Sequence, residues 1–457
     1  MQKLIRHQAD TSPEFRMDRA RSFAVIGAGA SGLCAAKYLI EAGFNNVTIF
    51  EIGSQFGGLW CYENDNGRSS CYKTLHINTA RNLTNFSNYP FPEDVQMFPD
   101  HWDMHKYLVA FAKHFNLVER IRFRTRVTDV RPAAGYEPAR PRWDVELEGG
   151  TVETFDRVIV ASGHLSVPLH VPEFKDNFAG EYLHSHHYRE PARHVGKRIC
   201  VVGVGNSACD IASDVCSTAE KTVLVARSGV MIGPKLLFGI PFTDLSMKIH
   251  KPWFPDWLRR RIMSLLIYTA HGRMTDLGFK PLTRRAHPTT NATIVTHIAY
   301  NRVAVKQGID RIEGKRIFFA DGSSDEFDVM IAATGYLIDL PFVSPEIVPL
   351  KDNAVELYKR LVAPGWYGLY FMGFFNTTTA LNLVFEQQSR WLVAIESGQA
   401  RLPSKGEMLE AIQRKRQWIA DYYKHSLRHT IEEEHVFYLE ELKVPRRRRL
   451  QKHAPVA

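Results

Sequence analysis

The sequence predicts an α/β protein with two Rossmann-like domains, and three features of its 457 residues indicate this fold. A short apolar strand runs into the glycine-rich segment Gly27-Ala-Gly-Ala-Ser-Gly32. A second apolar strand runs into Gly203-Val-Gly-Asn-Ser-Ala208. Each segment is followed by helix-forming residues and then by another strand. A strand, glycine loop, helix and strand in this order form a unit that binds a dinucleotide, so two such units predict two dinucleotides.

The composition is that of a globular protein with two or three domains. Hydrophobic residues make up 45% of the chain and charged residues 23%. No uninterrupted apolar run reaches the ~18 residues that a membrane span requires. The six cysteines show neither a CxxC pair nor the spacing of metal ligands. These features predict a cytoplasmic protein with reduced cysteines and without a metal site.

The net charge of +9 is concentrated partly at the two ends of the chain. Residues 1–21 alternate charge and polarity without periodicity, which predicts a flexible extension. Residues 446–457 form a basic tail. Such ends can touch nucleic acid or anionic lipid, but a solvated tail is the simpler interpretation. We therefore expect no nucleic-acid partner, whereas a positive protein suits two anionic dinucleotides.

The first glycine loop has every part of a dinucleotide site. Gly27 permits the tight turn, Gly29 lets the backbone approach a pyrophosphate, and Gly32 lets the helix pack on the strand. The start of the helix, which includes Ser31, offers N–H donors to the phosphates. Glu51 ends the second strand and is expected to accept hydrogen bonds from ribose hydroxyls.

The second glycine loop differs in two residues. Gly203 and Gly205 repeat the first two glycines, while Ala208 occupies the third position, where alanine is an accepted variant. Arg227, rather than an acid, follows the second strand. Because an arginine pairs bidentately with a 2′-phosphate that a carboxylate would repel, the sequence favours NADPH over NADH. The alternative is that Arg227 forms only a surface salt bridge.

A connector between the two units carries a family fingerprint. The segment has the form F-x-G-x-x-x-H-x-x-x-Y, filled at Phe178, Gly180, His184 and Tyr188. This sequence resembles the flavin-containing monooxygenases over about residues 22–440, and the resemblance implies FAD on the first loop and NADPH on the second. On a helix, His184 and Tyr188 would share one face. His184 is then either a proton donor or a hydrogen-bonded hinge residue, and His186 and His187 are expected to be exposed.

The resemblance also implies that the NADPH domain is inserted into the FAD domain. Two buried strands that end in glycine resemble the points at which the family's chain leaves and re-enters the FAD domain. We therefore expect an FAD-binding domain made of residues 22–165 and 325–445 and an NADPH-binding domain made of residues 166–324. Residues 231–290 form a helical insertion rich in aromatic and aliphatic residues. A lid over the substrate channel, a helix that contacts a membrane and a plain packing subdomain all remain open for it.

Further site residues follow from the resemblance alone. It makes Asn78 the catalytic polar group beside the reactive edge of the flavin, although an isolated asparagine also fits a turn cap. The sequence departs from the family pattern at Ala80 and Arg81, where serine and lysine are usual. The resemblance places the following residues at the cofactors: Leu59, Trp60, Thr79 and Gln387 at the flavin, and Ser207, Ala208, Cys209 and Asp210 at the nicotinamide dinucleotide.

The resemblance implies an NADPH- and O2-dependent monooxygenase. NADPH reduces FAD, the reduced flavin forms a C4a-(hydro)peroxide with dioxygen, and an amine nitrogen or sulfide of a small organic substrate takes one oxygen atom. The cysteine spacing offers no disulfide relay, which also favours dioxygen as the acceptor. Tyr188, at the end of the fingerprint, favours heteroatom oxidation. Baeyer–Villiger oxidation of ketones, an oxidase that releases hydrogen peroxide, and a protein that binds FAD without turnover are the alternatives; a homodimer and peripheral membrane contact stay open.

Overall fold

Two five-stranded parallel sheets organise the chain, of which the computed structural model describes residues 15–423 and 426–444. In spatial order the first sheet contains Leu369–Phe371, Arg157–Val160, Ser22–Ile26, Asn46–Phe50 and Ile121–Arg122. The second sheet contains Val303–Lys306, Lys221–Val225, Arg198–Val202, Val329–Ala332 and Glu181–His184. The predicted α/β fold with two Rossmann-like domains is therefore confirmed.

Eleven α-helices lie within the described residues. They are α1 (Ala30–Glu41), α2 (Arg81–Thr84), α3 (His101–His114), α4 (Pro172–Asn177), α5 (Asn206–Val215), α6 (Phe242–Ile249), α7 (Asp256–His271), α8 (Ile294–Ala299), α9 (Leu381–Glu396), α10 (Lys405–Tyr422) and α11 (His435–Glu441). Single turns of 3-10 helix cover Gly58–Trp60, Val118–Arg120, Ser185–His187, Pro191–His194, Met274–Leu277 and His429–Ile431. The insertion at 231–290 thus contains α6 and α7.

Smaller sheets flank the two parallel ones. Two are three-stranded and antiparallel: Val127–Pro132, Trp143–Leu147 and Val152–Phe155 form one, and Ile309–Glu313, Arg316–Phe319 and Ser324–Glu326 form the other. The two-stranded pairs are Val167–Pro168 with Tyr336–Leu337, Ile232–Gly233 with Thr289–Thr290, Leu236–Leu237 with Ile240–Pro241, Leu350–Lys351 with Ala354–Val355, and Asn376–Thr377 with Glu432–Glu433.

The central strands are apolar because helices and loops cover both faces of each parallel sheet. All four residues of Arg157–Val160 and of Val329–Ala332 are buried. Parallel strands with both faces covered read as continuous hydrophobic runs rather than as alternating ones. Two of the helices begin at a side-chain capping box, formed by Asp100 and Asp103 at α3 and by Ser404 and Glu407 at α10.

The chain crosses between the two sheets twice, and the two crossings pair as the antiparallel ribbon of Val167–Pro168 and Tyr336–Leu337. The strand Val329–Ala332 precedes this ribbon and pairs with Arg198–Val202. It therefore belongs to the second sheet, and its placement in the FAD-binding domain was wrong. A buried apolar strand that ends in glycine fits either sheet, so the sequence could not decide between them.

The chain ends were predicted to be an extension and a tail. Residues 1–14 and 446–457 lie outside the described residues. Residues 15–21 pack against the first domain, since Phe15 is buried and Arg21 forms an ion pair of 2.7 Å with Glu396. The first domain consequently begins nearer to residue 15 than to residue 22.

Candidate active site

The first glycine loop turns sharply beneath helix α1. Gly27 has a φ of +107°, and a Cβ there would come within 2.6 Å of the carbonyl oxygen of Ala161. A Cβ on Gly32 would collide with the carbonyl oxygen of Gly27. Gly29 caps α1, so the first N–H groups of this helix point into the space above the loop. The requirement for glycine at Gly27 and Gly32 thus has a steric cause.

Glu51 closes the first loop from the side. Its carboxylate accepts hydrogen bonds from the backbone N–H groups of Ala28 and Gly53, both at 2.9 Å. The amide of Asn66 donates a third bond of 3.3 Å. Each carboxylate oxygen has two lone pairs, so Glu51 can hold the loop and still accept from a ribose hydroxyl.

The second glycine loop repeats this geometry beneath α5. Gly203 has a φ of +127°, and a Cβ there would collide with the carbonyl oxygen of Ala333. Gly205 caps α5. Two residues at the end of the insertion brace this loop: Thr289 donates from Oγ1 to the Val204 carbonyl at 2.9 Å, and the N–H of Thr290 donates to Asn206 Oδ1 at 2.9 Å.

Arg227 follows the strand Lys221–Val225 of the second sheet and is exposed. Within residues 15–423 and 426–444 its guanidinium forms no ion pair or hydrogen bond. The surface salt bridge considered as the alternative is therefore not formed with any described residue. The side chain faces the cavity described next.

One cavity of about 1750 Å³ joins the two glycine loops. This volume exceeds the roughly 300–1,000 Å³ of pockets for drug-sized ligands, as two dinucleotides require. The predicted site residues along its wall are Gly27, Gly29, Ser31, Glu51, Leu59, Trp60, Asn78, Thr79, Gly203, Gly205, Ser207, Ala208, Asp210 and Arg227. The two loops therefore face a shared space rather than opposite sides of the molecule.

Asn78 lies between the two loops on the wall of this cavity. Its Oδ1 is buried and has no hydrogen-bond partner among the described residues. A buried polar atom without a partner is costly, which indicates that a ligand supplies one. Thr79, its neighbour, is instead engaged by Thr84 through a hydroxyl–hydroxyl contact of 2.6 Å.

Known proteins resemble this chain over nearly its full length. Residues 20–446 match the model of the family described as flavin-binding monooxygenase-like. The chain belongs to this family. Flavin-containing monooxygenase 5 of Cavia porcellus is 33% identical over 92% of this chain and 82% of its own. Dimethylaniline monooxygenase [N-oxide-forming] 2 of the same species is 31% identical over 93% and 82%. The solved S-allyl-L-cysteine S-oxygenase from Allium sativum superposes with a TM-score of 0.69 at 26% identity, covering 92% of this chain and 87% of that one.

This flavin-binding monooxygenase has residues that fit a dinucleotide over each glycine loop. Each helix N-terminus presents N–H donors over a glycine loop, which suits a pyrophosphate. The unpartnered Oδ1 of Asn78 suits a polar edge of a flavin ring. The family resemblance and the monooxygenase activity that the sequence predicted are thereby confirmed.

Three predicted cofactor residues, Gly32, Cys209 and Gln387, do not line the cavity of the monooxygenase, and Gly32 lies instead against the Gly27 carbonyl. Cys209 is fully buried in the core under α5, because its side of the helix faces the second sheet. Gln387 lies on α9, whose cavity-lining residues are instead Leu381, Asn382 and Phe385. The neighbouring Gln388 is the engaged glutamine, since its Oε1 accepts from the N–H of Gly373 at 3.2 Å. A helix turns by 100° per residue, so a match to a segment does not decide which side chain points inward.

The connector is a strand followed by a 3-10 turn, so the predicted helical face shared by His184 and Tyr188 is not formed. His184 is 1% exposed, and its Nδ1 accepts from the N–H of His186 at 3.1 Å. Burial, with neighbouring His170 and His186, lowers the pKa of His184 to about 3. A histidine that stays neutral at physiological pH is a poor proton donor, which favours the hinge role. His186 is buried rather than exposed and bonds to the Gly67 carbonyl at 3.0 Å, whereas His187 is exposed.

Sequence reasoning missed a pair of buried tyrosine–aspartate bonds that join the connector and the first domain to α5. Tyr72 donates to Asp210 Oδ2 at 2.7 Å, and Tyr188 donates to Asp214 Oδ2 at 2.6 Å. Asn291 also donates to Asp210, at 2.6 Å. Burial raises the pKa of Asp210 and of Asp214. Two acids four residues apart on one helix were the available signal, because they share a face.

Membrane crossing was tested against the helices of the described segments. None of those in residues 15–423 and 426–444 is both long enough and apolar enough to span a bilayer.

Proposed function

We propose that this monooxygenase transfers one oxygen atom to a soft nucleophile, an amine nitrogen or a sulfide, of a small organic substrate. FAD lies over the first glycine loop and NADPH over the second, with Arg227 at the 2′-phosphate. The printed names of two similar proteins, an N-oxide-forming monooxygenase and an S-oxygenase, support this substrate class. Amine nitrogen and sulfide sulfur carry a lone pair that needs no activation by a general base.

The observation that carries the proposal is the unpartnered Oδ1 of Asn78 in a cavity shared by both loops. When bound, FAD accepts electrons from NADPH and activates dioxygen. The chain's own task is to orient the ring and to exclude water. Apolar side chains that include Ile77, Leu381 and Phe385 line the same cavity as Asn78. Asn78 provides a neutral hydrogen-bonding group where a carboxylate would add charge.

The substrate class is tested by offering a sulfide, a tertiary amine and a ketone together with NADPH and air. The proposal expects sulfoxide and N-oxide as the main products, as measured by mass spectrometry. An ester as the main product would instead establish Baeyer–Villiger oxidation. Hydrogen peroxide equal to the NADPH consumed, without an organic product, would establish an oxidase.

The role of Asn78 is tested by Asn78→Ala. We expect substrate oxygenation to fall about 100-fold, the usual effect of removing one oriented hydrogen-bonding group at a reacting centre. Hydrogen peroxide release per NADPH should rise in parallel. Asn82→Ala is the matched control, because Asn82 is exposed and its side-chain amide donates to Asp244. If both variants gave the same yield of oxygenated product per NADPH consumed, the assigned role of Asn78 would be refuted.

The helical insertion supports a further proposal, peripheral contact with an anionic membrane. One face of α7 carries Trp257, Leu265 and Tyr268, which are 58%, 60% and 53% exposed. Trp253, just before this helix, is 77% exposed. Arg261 lies on the same face, with its guanidinium 5.7 Å from the centre of the Trp257 ring. Exposed aromatic residues beside cations are typical of helices that lie at a bilayer surface.

Vesicle flotation tests this contact. The protein should float with phosphatidylcholine vesicles that contain phosphatidylserine and less with phosphatidylcholine alone. Trp253→Ser combined with Trp257→Ser should abolish flotation, whereas Val195→Ser should not, since Val195 is 61% exposed but lies outside the insertion. Flotation of the double variant at the wild-type level would refute the contact.

A cytoplasmic location is supported by the six cysteines, all of which are buried and unpaired. The homodimer stays a prediction that light scattering on the purified protein can check.

A further inference from the structure

Arg428 reaches from the C-terminal segment of the chain to the second glycine loop. Its Nη1 lies 2.5 Å from the position that a Cβ on Gly205 would occupy. The guanidinium therefore lies against the backbone that caps α5. Arg428 also lines the cavity between the two loops.

The guanidinium of Arg428 has no ion pair or hydrogen bond with any other side chain or backbone group of the described segments. Five N–H donors are consequently available to a ligand. Its position at the start of α5 is unfavourable for a cation, because the helix dipole places partial positive charge there. Desolvation by the surrounding protein lowers the pKa of Arg428, although the residue as a whole is exposed. An arginine and a helix N-terminus in contact, both without a described acceptor, together favour an anion.

The nearest acid in the segment is already engaged. Glu432 is fully buried and pairs with Nδ1 of His287 at 3.1 Å. Burial acts to raise the pKa of Glu432, but His287, His429 and Arg428 outweigh it, and the pKa is lowered. Glu432 thus stays ionised and favours the charged form of Arg428 without forming a bond to it.

The backbone around Arg428 is fixed to the first domain. Its carbonyl accepts from Asn376 Nδ2 at 3.2 Å, and Asn376–Thr377 pairs in parallel with Glu432–Glu433. Arg360 holds Glu433 through an ion pair of 2.7 Å. The side chain is free while its backbone is anchored, so the guanidinium can rotate away from Gly205 to admit a phosphate and then bond to it.

We propose that Arg428 binds the pyrophosphate of the nicotinamide dinucleotide, so that a residue of the FAD-binding domain holds a ligand of the NADPH-binding domain. The inference rests on the proposed assignment of NADPH to the second loop. Arg227 then reads the 2′-phosphate, which only NADP⁺ carries, whereas Arg428 contacts a group that NADP⁺ and NAD⁺ share. The two arginines have different and separable effects on affinity.

Titration of the FAD-loaded enzyme separates these effects. Arg428→Gln should lower the affinity for NADP⁺ and the affinity for NAD⁺ by the same factor, about 10- to 100-fold. This is the loss expected when hydrogen bonds between charged groups are removed. Arg227→Gln should lower the affinity for NADP⁺ and leave the affinity for NAD⁺ unchanged. Arg193→Gln should change neither, since Arg193 is exposed and does not line the cavity. Binding is read by calorimetry, and FAD content by absorbance.

Protection of the wild-type protein supplies a test that needs no variant. Phenylglyoxal should modify Arg428, and saturating NADP⁺ or NAD⁺ should slow that modification at least tenfold, as measured by peptide mass spectrometry. Arg227 should be protected by NADP⁺ only, and Arg193 by neither.

The inference is overturned if NADP⁺ leaves the modification of Arg428 unchanged, or if Arg428→Gln binds both dinucleotides within twofold of the wild-type affinity. A selective loss of NADP⁺ affinity in Arg428→Gln would also overturn it, because that result would place Arg428 at the 2′-phosphate. Failure of the wild-type enzyme to bind NADP⁺ would instead refute the underlying cofactor assignment.

Discussion

The two glycine loops have the same backbone geometry but opposite charges around them. Gly29 and Gly205, which cap the helices above the loops, both have φ −79° and ψ −178°. The carboxylate of Glu51 braces the first loop, whereas Arg227 and Arg428 face the second. A common backbone thus forms two phosphate sites, and the side chains beside each loop decide which dinucleotide it accepts.

The loops also differ in how tightly the helix approaches the strand. A Cβ on Gly32 would collide with the carbonyl oxygen of Gly27, but Ala208 occupies the corresponding position beneath α5 without exposure. The first helix therefore lies closer to its loop than the second. We expect the first loop to be the less tolerant of substitution.

The largest expected effect comes from Gly27→Ala. The added Cβ meets the Ala161 carbonyl at 2.6 Å, and the backbone has a φ of +107°, so strain and collision act together. We expect a loss of about 3–5 kcal/mol in unfolding free energy and loss of FAD during gel filtration.

Gly149→Ala is the matched control for this change. Gly149 has a φ of +96°, but a Cβ there meets nothing within 4 Å. The substitution should cost only the backbone strain, about 1–2 kcal/mol, and should leave FAD bound. Equal losses in the two variants would show that strain alone matters at the first loop.

A smaller effect, on specificity, is expected for Arg227→Gln at the second loop. The ratio of kcat/KM for NADPH over NADH should fall about 10- to 100-fold, because hydrogen bonds between charged groups are lost for NADPH only. Steady-state kinetics with both cofactors measure this ratio. If kcat/KM fell by the same factor for NADPH and for NADH, Arg227 would not recognise the 2′-phosphate.

The sequence predicted the fold and the two glycine loops because their requirements are local. A glycine turn before a helix depends on neighbouring residues, so Gly27, Gly203 and the strands before them could be placed. Arg227 could be placed because it comes two residues after the end of a strand. Contacts between distant segments left no such local pattern: Arg428 reaches Gly205 across 223 positions of sequence (428 − 205).

The errors arose where a segment has two equivalent placements. Val329–Ala332 fits either sheet, since both sheets are parallel and covered on both faces. Cys209 and Gln387 lie in helices that were placed correctly. The resemblance of these segments to the family did not show which side chains of each helix face the cavity. His186 was expected at the surface and is buried, because its ring bonds to the carbonyl of Gly67 from the first domain.

The smallest expected effect concerns the connector that joins the two loops, and it depends on pH. The pKa of His184 is lowered by burial to about 3, whereas an unfolded histidine titrates near 6.5. Above pH 6.5 both states are neutral and His184 contributes no pH dependence. As pH falls below 6.5, His184 is protonated in the unfolded state but stays neutral in the folded state until about pH 3. The folded state therefore loses stability between these two pH values. At pH 5 the loss is about 2 kcal/mol.

His184→Asn should flatten this profile while retaining an acceptor for the N–H of His186. Denaturant unfolding at pH 7.5 and pH 5 measures the difference for each protein. Other buried histidines, such as His435, whose pKa burial lowers to about 4, give the same slope in both proteins, so the comparison isolates His184. If the two profiles run parallel, the folded protein admits a proton at His184 near neutral pH, and the hinge interpretation gives way to proton donation between the loops.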